Sequence, residues 1–274
     1  MKKAMIGYQV YSARDEAEKD LYGVLKQLKE MGYDGVEFAG FYGHAPEEVK
    51  KMVDEIGLIP ISSHYPWQQI EQDMFAAISV HKTIGCKYIA VPYLDEATRP
   101  GSEGFSKTLR GIYKFGALCK EAGIQLLYHN HDFEFCKISG EYGLDFMYNV
   151  VPEDILATEL DCCWVKYSGE DPAAYVRKYA GRCPIVHLKD YVGVKGGKQP
   201  YALIQADGDA TGADSDCAFE FRPVGYGCQD VKSILDAGIE SGAKWFIVEQ
   251  DLSLTRPPLE AAAMSIGTLK KLGL

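Results

Sequence analysis

Long apolar runs are missing from this chain of 274 residues. No segment approaches the roughly 18 apolar residues that a membrane span requires. The stretch Met1 to Ser12 starts with two lysines, but Gly7 and Gln9 interrupt its short apolar part, whereas a signal peptide needs a longer unbroken one. A cytoplasmic protein is expected. A basic surface is missing too: 29 Lys and Arg stand against 39 Asp and Glu, a formal charge of −10, with no basic stripe along any helical segment. That argues against nucleic acid, whose binding rests largely on Lys and Arg contacts to phosphate, and against an anionic membrane surface. No Ser/Pro/Gln-rich run, block of like charge or low-complexity tract marks a linker, so residues 1–274 read as one domain. The eight cysteines include no C-x-x-C pair, and most (Cys86, Cys119, Cys162, Cys163, Cys183) lie inside strand-like or helix-like segments. Reduced thiols are expected.

What the chain does have is alternation. Apolar, strand-like segments fall at 5–12, 34–38, 58–64, 87–93, 125–129, 155–161, 184–190 and 244–251. Between and after them come helical patterns at 20–31, 46–56, 68–84, within 103–122, near 143–150, 172–179, 229–241 and 258–272, several ending before a glycine. Eight such units imply an all-parallel sheet covered on its outer face. The count, and a length close to the roughly 250 residues usual for the fold, favour a single-domain α/β structure, the closed (β/α)8 TIM barrel. No G-x-G-x-x-G follows the first strand, which weakens a dinucleotide-binding sheet. One connection breaks the rhythm. A loop of about 191–228, rich in glycine and aspartate and including Lys195-Gly196-Gly197-Lys198 and Asp207-Gly208-Asp209, follows the seventh strand. In a barrel it would leave the face where chemistry sits, so a lid or binding loop is expected.

Polar residues gather where the apolar strands end. Gln125-Leu126-Leu127-Tyr128 runs directly into His129-Asn130-His131-Asp132-Phe133-Glu134, a break that is costly in a core unless the groups are paired or bound. Glu37, His64, Asp161, His187 with Lys189 and Asp190, and Glu249 with Asp251 occupy similar positions. Four of the six histidines (His64, His129, His131, His187) fall at such ends, while His44 and His81 read as structural. A barrel would close these ends onto one rim. A mixed imidazole and carboxylate set there suits one divalent ion, Mn²⁺, Zn²⁺ or Co²⁺, with Mg²⁺ accepted by carboxylate-rich variants. Aromatics at or just past the strand ends (Tyr8, Tyr11, Phe38, Phe41, Tyr65, Trp67, Tyr93, Trp164) suit a carbohydrate, whose C–H faces stack while its hydroxyls hydrogen-bond. The opposing reading makes them core.

The chain resembles the xylose isomerase-like TIM barrels of sugar phosphate isomerases and epimerases over essentially its whole length. Matching stretches are Gly32-Tyr33-Asp34-Gly35-Val36-Glu37, Ser63-His64, Tyr128-His129-Asn130-His131, Glu159-Leu160-Asp161, Gly181-Arg182 leading to His187-Leu188-Lys189-Asp190, Pro223-Val224-Gly225-Tyr226-Gly227 and Val248-Glu249-Gln250-Asp251. The resemblance implies one divalent metal held by Glu, Asp, His and Glu from strands five to eight, with Asp161, His187 and Glu249 in the last three places. Strand five departs from the pattern, reading His129-Asn130 where many relatives read Glu-Asn. Either His129 is the ligand, or Glu134 reaches back to the metal while His129 contacts substrate; a lost metal is the third account.

The implied activity is a divalent-metal-dependent isomerase or epimerase on a sugar or keto-sugar, moving a proton through an enediolate. Glu249 would be ligand and base, helped by Glu134, His129 or His131. Glu37, His64, Trp67, Trp164 and Lys189 are expected at the substrate, with Glu37 and His64 alternatively in a buried polar network. A dehydratase (lyase) of a keto-polyol such as an inosose, and a non-catalytic sugar-binding barrel, are the alternatives. An apurinic endonuclease shares the barrel, but the charge of −10 argues against DNA. The expected partner is a small sugar or polyol, and a homo-oligomer is compatible with the sequence.

Overall fold

The computed structural model describes residues 4–193 and 219–274. Lys195-Gly196-Gly197-Lys198 and Asp207-Gly208-Asp209 lie outside the described residues. Eight parallel strands form one sheet: β1 Met5–Gln9, β2 Gly35–Phe38, β3 Ile59–Ser63, β4 Tyr88–Val91, β5 Gln125–His129, β6 Leu156–Asp161, β7 Ile185–Leu188 and β8 Trp245–Val248. Their order around the sheet is β3-β2-β1-β8-β7-β6-β5-β4. A parallel bridge from His64 to Ala90 closes the ring, reinforced by Tyr65 N–H to Ala90 O at 2.9 Å and Lys87 N–H to Ile61 O at 3.1 Å. The result is a single-domain TIM barrel.

Strand periodicity explains how this barrel is filled. Side chains alternate across a strand, so every second residue points inward. Ile61, Ala90, Leu127, Ala157, Ile185, Trp245 and Ile247 form one buried apolar cluster, a plug at the N-terminal half of the barrel. Their neighbours Leu126, Tyr128, Leu156, Leu160, Val186, Leu188, Phe246 and Val248 belong to a second, larger cluster shared with the helices. The barrel floor requires small residues on two strands: a Cβ on Gly35 would lie 2.5 Å from Ile59 O, and one on Gly7 2.5 Å from Ile61 Cδ1.

The structure corrects several boundaries. The first strand stops at Gln9, where Gln9 Oε1 accepts the Tyr11 N–H and turns the chain into a 3-10 segment, Val10–Ala13. The expected helix 68–84 is two helices, Trp67–Gln72 and Met74–Ile84, because Asp73 leaves the helical region and caps the second through Phe75 N–H and Ala76 N–H. A short helix, Cys162–Tyr167, was not anticipated. The long connection after β7 begins and ends in an antiparallel hairpin, Asp190–Val192 with Glu220–Arg222. Asp190 anchors its return: the carboxylate accepts N–H groups of Tyr191, Gly225, Gly227 and Gln229 at 2.9–3.1 Å. No helix among the described residues is long and apolar enough to cross a membrane.

Candidate active site

Two residues beyond the apolar plug, the inward positions turn polar on six strands. Gln9, Glu37, His129, Glu159 and His187 form a tier with Ser62 and His64, all buried. Glu37 Oε1 accepts from Gln9 Nε2 at 2.7 Å, lies 2.8 Å from His187 Nε2 and 3.1 Å from His64 Nε2, while Ser62 donates to Glu37 Oε2. Glu159 Oε2 is 2.7 Å from His64 Nε2, 3.2 Å from His129 Nδ1 and 3.5 Å from His187 Nε2. The Nε2 of His187 makes no aligned hydrogen bond despite the short distance to Glu37, so that contact is ionic.

One step higher stand Asp161, Lys189, Glu249 and Asp251. Asp161 Oδ1 accepts Cys163 N–H at 2.7 Å and Trp164 N–H at 3.2 Å, capping the short helix. This fixes the rotamer that turns Oδ2 toward His129 Nε2, 3.6 Å away. Asn130 grips the Asp161 backbone on both sides, accepting its N–H at 2.9 Å and donating to its carbonyl at 3.3 Å. Glu249 Oε2 is 2.9 Å from His187 Nδ1. The Lys189 ammonium lies 2.9 Å from Glu249 Oε2, 2.9 Å from Asp251 Oδ2 and 3.2 Å from Asp161 Oδ2.

Among the described residues, two overlapping quartets offer donor atoms within 4.8 Å of one another: His129, Asp161, His187 and Glu249, and His64, His129, Glu159 and His187. The first pairs two imidazoles with two carboxylates, a donor set that suits a borderline divalent ion. Asp161 Oδ2 is buried and receives no hydrogen bond, an orphaned acceptor that a cation would satisfy. The residues present therefore fit one divalent ion.

The electrostatics divide the groups by charge. Burial would raise the Glu249 carboxyl, but Lys189 and His187 hold it below the usual carboxylate range. Burial opposes charge on Lys189, yet Asp161, Asp251 and Glu249 push its pKa well up. Burial raises Asp251 to about 7 against the pull of Lys189. His129 and His131 are driven well below the ordinary imidazole range, by burial first and then by the positive charge around them. Both are neutral, as a metal ligand or general base must be. Burial disfavours charge on His64 too, but Glu37 and Glu159 lift it to about 10.

A cavity of about 910 Å³ opens above this group. His64, His129, His131, Lys189, Glu249 and Asp251 line it, with Tyr11, Phe41, Tyr65 and Tyr93. Of the eight aromatics singled out in the sequence, these four reach the cavity and the other four do not. Trp67 is buried against the helix Phe105–Glu121, where a Cβ on Gly111 would come within 2.7 Å of its ring. Trp164 packs in a cluster with Tyr167, Tyr191 and Phe221, its ring 5.5 Å from that of His131. Glu37 is sealed in the lower tier. Glu134, expected as a catalytic group and an alternative ligand, is not brought to either quartet. Its carboxylate accepts the Tyr128 hydroxyl and, at 2.8 Å, the His131 N–H, and burial raises its pKa to about 8. Sequence reasoning missed Gln9, Glu159 and Asp251 as site residues, although each lies two positions from an inward-facing residue: Gly7, Asp161 and Glu249.

A TIM barrel with acid, base and metal-type donors at the C-terminal ends of its strands defines an enzyme-like architecture. The xylose isomerase-like TIM barrel family model matches residues 25–272, and the chain belongs to that family. An inosose dehydratase of Clostridium beijerinckii is 26% identical over 260 residues, 85% of this chain and 83% of that one. An inosose dehydratase of Clostridium perfringens is also 26% identical, over 187 residues, spanning 61% of this chain and 62% of its own. A sugar phosphate isomerase/epimerase structure from Parabacteroides distasonis superposes with a TM-score of 0.77 at 23% identity, covering 98% of both chains.

Proposed function

We propose that this protein is a divalent-metal-dependent isomerase or epimerase that moves a proton on the carbon beside the carbonyl of a keto-sugar or keto-polyol. The observation that carries the reading is the quartet His129, Asp161, His187 and Glu249 beside a cavity that Glu249, His131 and Lys189 line. A divalent ion held by those four residues would polarise the substrate carbonyl and acidify the neighbouring C–H. His129, rather than Glu134, supplies the strand-five ligand, because Glu134 is occupied by Tyr128 and His131. Tyr11, Phe41, Tyr65 and Tyr93 offer flat faces to the C–H side of the substrate. Lys189, charged and facing the cavity, donates to a substrate oxygen. Glu249 stays ionised at neutral pH and takes the α-proton; His131, a neutral imidazole just past β5, returns one from elsewhere on the ring.

Dehydration is the second reading, supported by the similarity to proteins named inosose dehydratase. The same proton removal would be followed by departure of a neighbouring hydroxyl, which Lys189 or His131 would protonate so that it leaves as water.

One experiment separates them. The full chain, stripped of metal and reloaded with Mn²⁺, Co²⁺, Mg²⁺ or Zn²⁺, is incubated in D2O with ketopentoses, ketohexoses and inososes and followed by NMR. Deuterium incorporation with formation of an epimer or aldose supports isomerisation, and a product short of one water supports the lyase. Glu249→Gln is expected to abolish either with little change in melting temperature. No exchange into any substrate with any ion would overturn the enzyme reading and leave a sugar-binding barrel.

A further inference from the structure

The two quartets share His129 and His187, and each shared imidazole presents opposite nitrogens to them. His129 turns Nε2 toward Asp161 and Nδ1 toward Glu159, while His187 turns Nδ1 toward Glu249 and Nε2 toward Glu37 and Glu159. The upper faces of both rings point to the substrate cavity and the lower faces to two carboxylates. An imidazole nitrogen without hydrogen cannot rest 2.8 Å from a carboxylate oxygen without lone-pair repulsion. The lower nitrogens must therefore carry the hydrogens, and the upper ones are left with free lone pairs.

We propose that Glu37 and Glu159 are positioning residues that force the two ligand histidines into opposite tautomers, His129 protonated on Nδ1 and His187 on Nε2. His64 completes the device. Its Nε2 is 3.1 Å from Glu37 Oε1 and 2.7 Å from Glu159 Oε2, so one imidazole ties the two carboxylates at a fixed spacing. Gln9 and Ser62 hold Glu37 from the far side. The tier is anchored on β1, β2 and β6 and on the residue after β3. Five elements thus set the orientation of two ligands that come from β5 and β7. A carboxylate behind a ligating histidine fixes ring orientation and makes the metal-facing nitrogen more basic, and its loss typically weakens metal binding 10- to 100-fold. The geometry also argues against a second ion in the lower quartet, because His129 Nδ1 and His187 Nε2 would then have to ligate instead of donate.

The inference rests on the metal reading of the upper quartet, and the test keeps the two apart. Zn²⁺-loaded protein with ¹⁵N-labelled histidine is examined by long-range ¹H–¹⁵N correlation. The expected result is one zinc-bound ring protonated on Nδ1 and one on Nε2; two ligand rings in the same tautomer would overturn the proposal. Mn²⁺ titration by calorimetry is then compared for wild type, Glu37→Gln, Glu159→Gln and His81→Gln. His81, buried outside the tier, serves as the reference for a purely structural loss. Dissociation constants about 10- to 100-fold higher for the two glutamate variants, with His81→Gln unchanged, support the positioning role. Wild-type affinity in both glutamate variants, or two ions per wild-type chain, overturns it. Failure of wild type to bind Mn²⁺ or Zn²⁺ overturns the metal reading itself. Should a glutamate variant not fold, the tautomer measurement on wild type still decides.

Discussion

Glu134 shows how far residue types alone can be read. A glutamate five residues beyond the last residue of β5 has the charge and reach of a ligand, and only geometry reveals that Tyr128 and the His131 amide already occupy it. Its carboxyl is raised by burial to about 8, so the folded state prefers the protonated form. Stability from this group is fully present below the ordinary carboxylate range and is lost as pH rises through about 8. In the metal-free protein, Glu134→Gln is expected to remove that part of the decline, on the order of a few kcal/mol, measured as melting temperature from pH 5 to 9. A variant whose stability falls with pH as steeply as wild type would show that Glu134 is not the group. The rim histidines were legible because imidazoles at the ends of apolar strands stand out. Glu159 was not, because Asp161, two residues on, already answered to the same motif. Trp67 and Trp164 were misplaced because an aromatic near a strand end can turn either to the cavity or to the helices, and its own residue type does not say which.

At the scale of elements, the eight strands and most of the helices could be read from periodicity and from glycine stops. The exceptions share a cause: an aspartate doing local work. Asp73 breaks a helix by capping its second half, and Asp161 starts a helix with one carboxylate oxygen while its other faces the site. Asp190 is a third case. It reads as one more polar rim residue, yet it holds the return of the long connection through four backbone N–H groups. A Cβ at Gly227 would come within 2.2 Å of its Oδ1, so that close approach needs glycine. Asp190→Ala strands these donors and is expected to cost about 2–5 kcal/mol. Faster amide exchange at Gly225, Gly227 and Gln229 should accompany the loss, whereas exchange as slow as in wild type would assign the anchoring elsewhere.

The whole molecule is a barrel in layers, with an apolar plug, a tier of histidines and carboxylates, and a rim that meets the cavity. The fold was legible because the plug and the helix-facing surfaces follow simple periods; the tier was only half legible because its residues act through partners on other strands. These layers differ in what they contribute. The plug supplies transfer free energy, about 1.5–3 kcal/mol for each large side chain it buries. The tier and rim concentrate ionisable groups away from water, where desolvation offsets much of their mutual attraction. A divalent ion at the rim would satisfy Asp161 and Glu249 at once, and because the quartet exists only in the folded chain, its binding free energy adds to stability. At a concentration 100 times its dissociation constant the gain is about 2.7 kcal/mol, and each kcal/mol moves the midpoint by about 2–4 °C in a chain of this size. Calorimetry of chelator-treated protein should therefore show a midpoint about 5–10 °C higher with saturating Mn²⁺ than without. Asp161→Asn should lose most of that increment while keeping the metal-free midpoint near wild type, since asparagine still caps the short helix. Equal midpoints with and without ion in the wild type would remove the quartet as a metal site, and the rim would then hold its charges through Lys189 alone.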